Sequence, residues 1–85
     1  MEIKTVYGLK ILYKLNILFQ IFFLPDFNKE QIISMIDDLY SNFHTSNDYS
    51  FQFLLENGEF YEVDKKSFQK FLNDDEENIF EIGFL

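Results

Sequence analysis

No cysteine occurs among the 85 residues, which excludes disulfides and thiolate metal sites and gives no sign of an oxidising compartment. Arginine, alanine and tryptophan are also absent, while Phe, Ile, Lys, Asn and Tyr are abundant. That bias matches an A+T-rich genome and points to a low-GC bacterium, or to a phage or plasmid living in one. Glycine is limited to Gly8, Gly58 and Gly83, each isolated, so no glycine-rich loop is available to cradle a phosphate. The longest apolar run, Leu15 to Leu24, falls short of the ~20 residues a membrane helix needs. Pro25-Asp26-Phe27 follows it in place of a small-residue cleavage site, so the protein is expected in the cytoplasm of its host cell, away from the membrane.

Large apolar side chains are plentiful: twelve Phe, five Tyr and nine Ile. A chain of this length hides only about 60–65% of the surface its unfolded form exposes, so a small core must be dense, and aromatic rings supply that density. A disordered chain is poor in such residues. The expectation is one folded domain over residues 1–85.

Basic charge is scarce. Fifteen acidic residues face seven lysines, for a net charge of −8. Residues 1–24 carry Lys4, Lys10 and Lys14 against Glu2, a net of +2, and residues 25–85 carry fourteen acids against four lysines, a net of −10. That field repels nucleic acid and anionic membrane and attracts basic protein surfaces. The seventeen Phe and Tyr rings therefore read as core and not as a base-stacking platform, which requires a positive groove.

Apolar residues fall on odd positions from Ile3 to Phe23, with Glu2, Lys4, Lys10, Lys14, Asn16 and Gln20 on even ones, the two-residue period of a strand. Twenty-one residues in one strand would extend roughly 70 Å, so the chain must turn back. A three-residue loop preserves the parity that a two-residue loop would swap. Lys14-Leu15-Asn16 is the predicted loop, with Asn16 in the left-handed position. Strands are predicted at about 2–13 and 17–24, and Gly8 is the candidate bulge.

Pro25 stops the second strand. Asn28 with Gln31 forms a capping box, and Phe27 with Ile32 forms a hydrophobic staple. Ile32, Met35, Ile36, Leu39, Tyr40 and Phe43 then share one face of a helix over about 29–44. Tyr49, Phe51, Phe53 and Leu55 alternate into a hairpin at Asn57-Gly58, where a three-residue loop keeps Phe51, Phe53, Tyr61 and Val63 on one side. Asp64 caps a short helix over about 65–73 that buries Phe68, Phe71 and Leu72. Phe80, Ile82 and Phe84 alternate in a terminal strand. The predicted fold is α+β: a mainly antiparallel five-stranded sheet in the order ββαββαβ, with one long helix packed on a face and one short helix.

No enzymatic constellation is evident. Ser41, His44 and Ser46 lie close in sequence without a nucleophile elbow, and a lone His near a helix end suits the helix dipole. A transition-metal site would have to rest on carboxylates, and "NDDEENIFEIG" lacks the order of a calcium loop. Neither a metal nor a cofactor is expected.

The carboxylates are the candidate site. Asp74, Asp75, Glu76 and Glu77 form one acidic run, and Asp74 and Asp75 fall at the predicted C-terminus of the second helix, where the dipole disfavours negative charge. Glu56 and Glu59 flank the hairpin turn, where like charges oppose each other. Groups that act against local stability are candidates for serving a partner, although charge runs are ordinarily solubilising. Glu62 and Asp64, two positions apart, have a strand spacing of about 6.6 Å that suits phosphate imitation. Glu56, Glu59, Glu62, Asp64 and Asp74–Glu77 are therefore the expected contacts to a basic, nucleic-acid-binding protein. In size, charge and composition the chain is similar to phage anti-CRISPR and anti-restriction proteins. The resemblance implies an inhibitor of a defence nuclease. The alternatives are an immunity protein or antitoxin over a toxin active site, or a structural module that self-associates through the first hairpin. Leu12, Leu18, Phe22 and Leu24 make that hairpin apolar on its second face too, so something must cover it.

Overall fold

The computed structural model describes residues 2–85. Two strands open the chain, β1 (Lys4–Tyr13) and β2 (Asn16–Phe22), followed by helix α1 (Lys29–Phe43). Strands β3 (Tyr49–Leu55) and β4 (Phe60–Glu62), helix α2 (Lys65–Leu72) and strand β5 (Phe80–Ile82) complete the order ββαββαβ. The architecture is α+β, with a five-stranded open sheet that is antiparallel except where β5 joins β1.

Strand β1 is the spine of the sheet. One edge pairs with β3 from Val6 to Tyr13, and β4 continues beyond β3. The other edge is shared: β5 runs parallel beside Lys4–Val6, and β2 runs antiparallel beside Gly8–Tyr13. Two bonds close the joint between these half-edges, from the Phe23 amide to the Tyr7 carbonyl (2.9 Å) and from the Leu85 amide to the Phe23 carbonyl (2.8 Å). The β1–β3 register shifts between Val6 and Gly8, at the expected bulge. A Cβ on Gly8 would stand 2.7 Å from the Ile21 carbonyl oxygen, so only glycine lets β2 pass this close.

The first hairpin departs from the expected loop. Tyr13 pairs directly with Asn16, leaving a two-residue turn, Lys14-Leu15, and the left-handed residue is Lys14 (φ 57°) and not Asn16. Such a turn swaps parity, and a bulge swaps it back: Leu12 pairs with Ile17, Ile11 with Phe19, and Leu18 is the extra residue. Phe19, Ile21 and Phe23 therefore reach the core as their odd numbers suggest, whereas Ile17 lies beside Leu12 on the opposite face and is exposed. The strands are also shorter than expected, Lys4–Tyr13 and Asn16–Phe22.

The second hairpin follows its sequence signal. The Leu55 amide donates to the Glu59 carbonyl, enclosing the three-residue loop Glu56-Asn57-Gly58 with Gly58 left-handed (φ 85°). Phe53 then pairs with Tyr61, and Phe51, Phe53 and Val63 are buried.

Helix α1 has the predicted cap. The Asn28 side chain accepts from the Gln31 amide (2.8 Å), and the Gln31 side chain accepts from the Asn28 amide (3.3 Å). Its buried side is Ile32, Ile36 and Tyr40, with Met35, Leu39 and Phe43 half-buried beside them. Both helices pack on the same face of the sheet, in one core with Val6, Leu9, Ile11, Phe51, Phe53 and Phe80. Rings dominate it: Phe68 lies 4.7 Å from Tyr40, 5.1 Å from Phe51 and 5.3 Å from Phe53, and Phe80 lies 5.0 Å from Phe53. Among the described residues no polar or charged side chain is buried. The accessible surface, 5515 Å², is close to the roughly 5,400 Å² expected of a compact chain of this mass, so the core is complete within one copy.

Among the described residues the opposite face has no helix. Gly8, Lys10, Leu12, Gln20, Phe22, Gln52, Leu54, Phe60 and Glu62 share it by register. Lys10 lies over the Phe60 ring, 3.5 Å from its centroid, and provides part of its cover.

Candidate functional site

All fifteen carboxylates are exposed, and among the described residues the single ion pair is Lys70–Glu77 (3.0 Å). The field anticipated from composition is therefore at the surface, with almost none of its carboxylates paired directly to a lysine. The carboxylates fall into separate groups, placed by different elements.

Asp74–Glu77 follow the end of α2. The Asp75 amide donates to the Lys70 carbonyl (3.0 Å) and the Asp74 amide to the Phe71 carbonyl (3.4 Å), a Schellman ending with Asp74 in the left-handed position (φ 51°). Glycine or asparagine is the usual occupant there, so Asp74 carries a backbone cost. The next residues are wired into a turn. The Asp75 carboxylate accepts from the Glu77 amide (2.8 Å), and the Asp75 carbonyl accepts from the Asn78 amide (2.9 Å). Lys70 reaches back to Glu77, and that hydrogen bond, with the charges of Glu77, Asp75 and Asp64, holds the Lys70 ammonium above the usual lysine range. Asn78 then accepts from the Phe80 amide (3.0 Å) and donates to the Phe80 carbonyl (2.8 Å), launching β5. Two of the four carboxylates thus support the local fold. The premise that Asp74 and Asp75 oppose local stability holds for Asp74 and not for Asp75.

Asp64 also has an internal role. As the N-cap of α2 it accepts from the Ser67 amide (2.8 Å) and the Ser67 hydroxyl (3.2 Å), and these bonds hold its carboxyl below the usual range. Glu62 is exposed at the end of β4, across from Gln52. Buried Val63 separates the two, and Asp64 is turned toward Ser67, which leaves Glu62 the freer member of the expected pair. Glu56 and Glu59 line one shallow cleft with Glu2, Lys4 and Tyr61, where Lys4 lies 4.4 Å from the Tyr61 ring centroid.

The structure adds carboxylates that spacing along the chain did not single out. Asp74 and Glu81 line a cleft of about 340 Å³ with Lys29, Ile33 and Phe71. Glu30 and Asp37, on the outward side of α1, border the adjoining cleft with Lys29, Leu72 and Asn73, and Asp38 lies further along the same helix. Glu30, Ser34, Asp37 and Asp38 recur at helical spacing, the signal that marks them as one solvent-facing stripe. Asp74 therefore belongs to a surface that includes α1, and the hairpin glutamates form a second one.

His44 ends α1. Its Nδ1 lies 2.7 Å from the Tyr40 carbonyl oxygen, and its ring stacks on Tyr40 at 4.6 Å, with 15° between the planes. Burial pushes the Tyr40 phenol above its ordinary value, against a hydrogen bond with Gln69. Among the described residues no group of three His, Cys, Asp or Glu side chains is arranged to hold a metal ion, and no helix is long and apolar enough to cross a membrane. Scanning the chain against protein-family models finds no match, and comparison with curated proteins and with solved structures finds none either.

Proposed function

We propose that this protein is an acidic inhibitor that covers the basic nucleic-acid-binding surface of another protein, competing there with the phosphate backbone. The observation that carries the reading is the exposure of all fifteen carboxylates with a single ion pair among the described residues. A field of that strength steers a basic partner toward the molecule and repels nucleic acid. The stripe of Glu30, Asp37 and Asp38, extended by Asp74 and Glu81, gives one broad contact, and Glu56, Glu59 and Glu62 give another. Asp64, Asp75 and Glu77 contribute charge while their bonds to Ser67, the Glu77 amide and Lys70 fix the local backbone. A bacterial defence nuclease, met by a phage-encoded inhibitor in the host cytoplasm, is the proposed target class.

Capture from a bacterial lysate on the immobilised protein, followed by elution with duplex DNA and mass spectrometry, tests the reading. Basic nucleic-acid-binding proteins released by DNA are the expected result. Against a captured target, Asp74-Asp75-Glu76-Glu77→Asn-Asn-Gln-Gln and a Glu56, Glu59, Glu62→Gln variant should each associate more slowly, with a shallower salt dependence. Unchanged affinity and salt slope in both variants would reduce the carboxylates to solubilising charges and end the proposal.

A further inference from the structure

We infer that the protein forms a twofold dimer in which the free edge of β2 pairs antiparallel with β2 of a second copy, joining two five-stranded sheets into one. Strand β2 pairs with β1 on one side, and among the described residues its other side meets no strand. The Phe23 amide bonds to Tyr7, and the Ile21 carbonyl faces Gly8, so these odd residues spend their backbone groups inward. By strand alternation Gln20 and Phe22 direct their N–H and C=O outward. An edge of this kind is ordinarily blunted by charge, by proline, by brevity or by a bulge, and β2 has only the last, in its first half. Asn16–Phe22 has seven residues, none charged and none proline, and the bulge at Leu18 leaves Phe19–Phe22 in regular register.

The apolar side chains along this edge are unusually open: Leu15 is 94% exposed, Ile17 58%, Leu18 52% and Phe22 42%. Together they form an apolar patch on the order of a few hundred Å² per copy, within the range for the largest patch on a monomer and of the order a small dimer interface uses. Charge selects the occupant. Residues 9–24 contain Lys10 and Lys14 and no carboxylate, in a molecule of net charge −8. This is the side on which two copies approach with least repulsion, whereas a basic partner is drawn to the carboxylates elsewhere. The strand is also self-complementary. A twofold axis at Gln20 places the two Gln20 amides together and sets Phe22 across from Leu18 of the second copy, with no like charges opposed. The inference does not depend on the acidic-inhibitor reading.

Sedimentation equilibrium of the full chain from low micromolar to about 1 mM tests it. The expected mass rises from 10.3 kDa toward twice that value. Gln20→Lys, which sets charge against charge at the axis, and Leu18→Lys, which places an ammonium against Phe22 of the second copy, are both exposed substitutions and should each weaken association at least about tenfold. Should Leu18→Lys fail to fold, Gln20→Lys, a polar exchange, retains the test. Hydrogen exchange supplies the residue-level readout: the Gln20 and Phe22 amides should exchange about tenfold more slowly at the high concentration. The Phe23 amide, already bonded to Tyr7, should not change. A mass of 10.3 kDa throughout, dimers that persist in the folded variants, or concentration-independent exchange at Gln20 and Phe22 would each overturn the inference.

Discussion

The β2 edge and the Asp74–Glu77 turn are both exposed, and both depart from what a folded chain needs of its surface. One exposes apolar side chains beside unpaired backbone, and the other gathers four carboxylates at a helix C-terminus. They differ in what the fold does with them. In the turn, Asp75 holds the Glu77 amide, Glu77 holds Lys70, and Asn78 clasps both backbone groups of Phe80. On the edge, Ile17, Leu18 and Phe22 stay exposed outside the core cluster, while the core itself closes without them. Conspicuous composition is therefore a poor guide to unused capacity. The charge run is conspicuous and half employed in the structure, whereas the apolar edge, a quieter signal in a Phe-rich sequence, stays open in one copy.

The sharpest way to break this contrast is to remove an anchor on each side. Phe80→Ala deletes a buried ring packed on Phe53 and Phe71, and should lower stability by about 3–5 kcal/mol in urea titration, freeing the turn with β5. Leu18→Ala, measured where the protein is monomeric, should cost less than about 1 kcal/mol. Equal losses would mean that the edge is as integral to one copy as β5 is.

A smaller effect is expected at Asn78. Asn78→Ala strands both backbone groups of buried Phe80, and should cost about 1–3 kcal/mol, with faster exchange of the β5 amides. Retention of wild-type exchange in β5 would show that pairing with β1 alone positions this strand.

Asp74→Gly should run the other way. Glycine accepts the left-handed ending of α2 and removes one charge from the helix terminus, so the thermal midpoint should rise, by an increment of at most about 1 kcal/mol. A fall would mean that the Asp74 carboxylate supports the turn through a contact of its own.

The smallest effect is a pH dependence at Asp64. Its folded carboxyl titrates below the usual range because the Ser67 amide and hydroxyl bind the charged form. The unfolded state then takes up the proton first as pH falls. The contribution of this cap is complete above the ordinary carboxylate value and is lost as pH drops through the depressed one. Asp64→Asn keeps a capping oxygen and should flatten that portion of the acid limb in urea midpoints measured across mildly to strongly acid pH. An unaltered acid limb would assign the dependence to other carboxylates.

Much of the fold was legible where a local signal and a burial demand agree. Asn28 and Gln31 set the start of α1, Asp64 set the start of α2, and Gly58 fixed a loop that leaves Phe51 and Phe53 facing the core. The first hairpin was misread at its turn, because Lys14 and Leu15 carry no turn signature. Parity is restored at Leu18 by a bulge that no residue there announces, and Ile17 moved to the open face in consequence. The candidate site was legible as a charge balance and only partly as a set of residues. Glu30, Asp37, Asp38 and Glu81 join Asp74 through the packing of α1 against α2 and β5, over sequence separations that spacing does not encode.

By itself the sequence determined the element order, the helix starts, the second turn and the sign of the surface field. These depend on side-chain chemistry within a few residues, or on a simple sum. Tertiary structure decided that β5 runs parallel beside β1, that both helices take the same face, which carboxylates are bound to their own backbone, and that β2 is left with an open edge. Those outcomes depend on how the strands share the edges of β1. Each edge of β1 offers a fixed length of backbone, and β5 and β2 divide one of them at Tyr7, a competition that exists only once the strands meet in space.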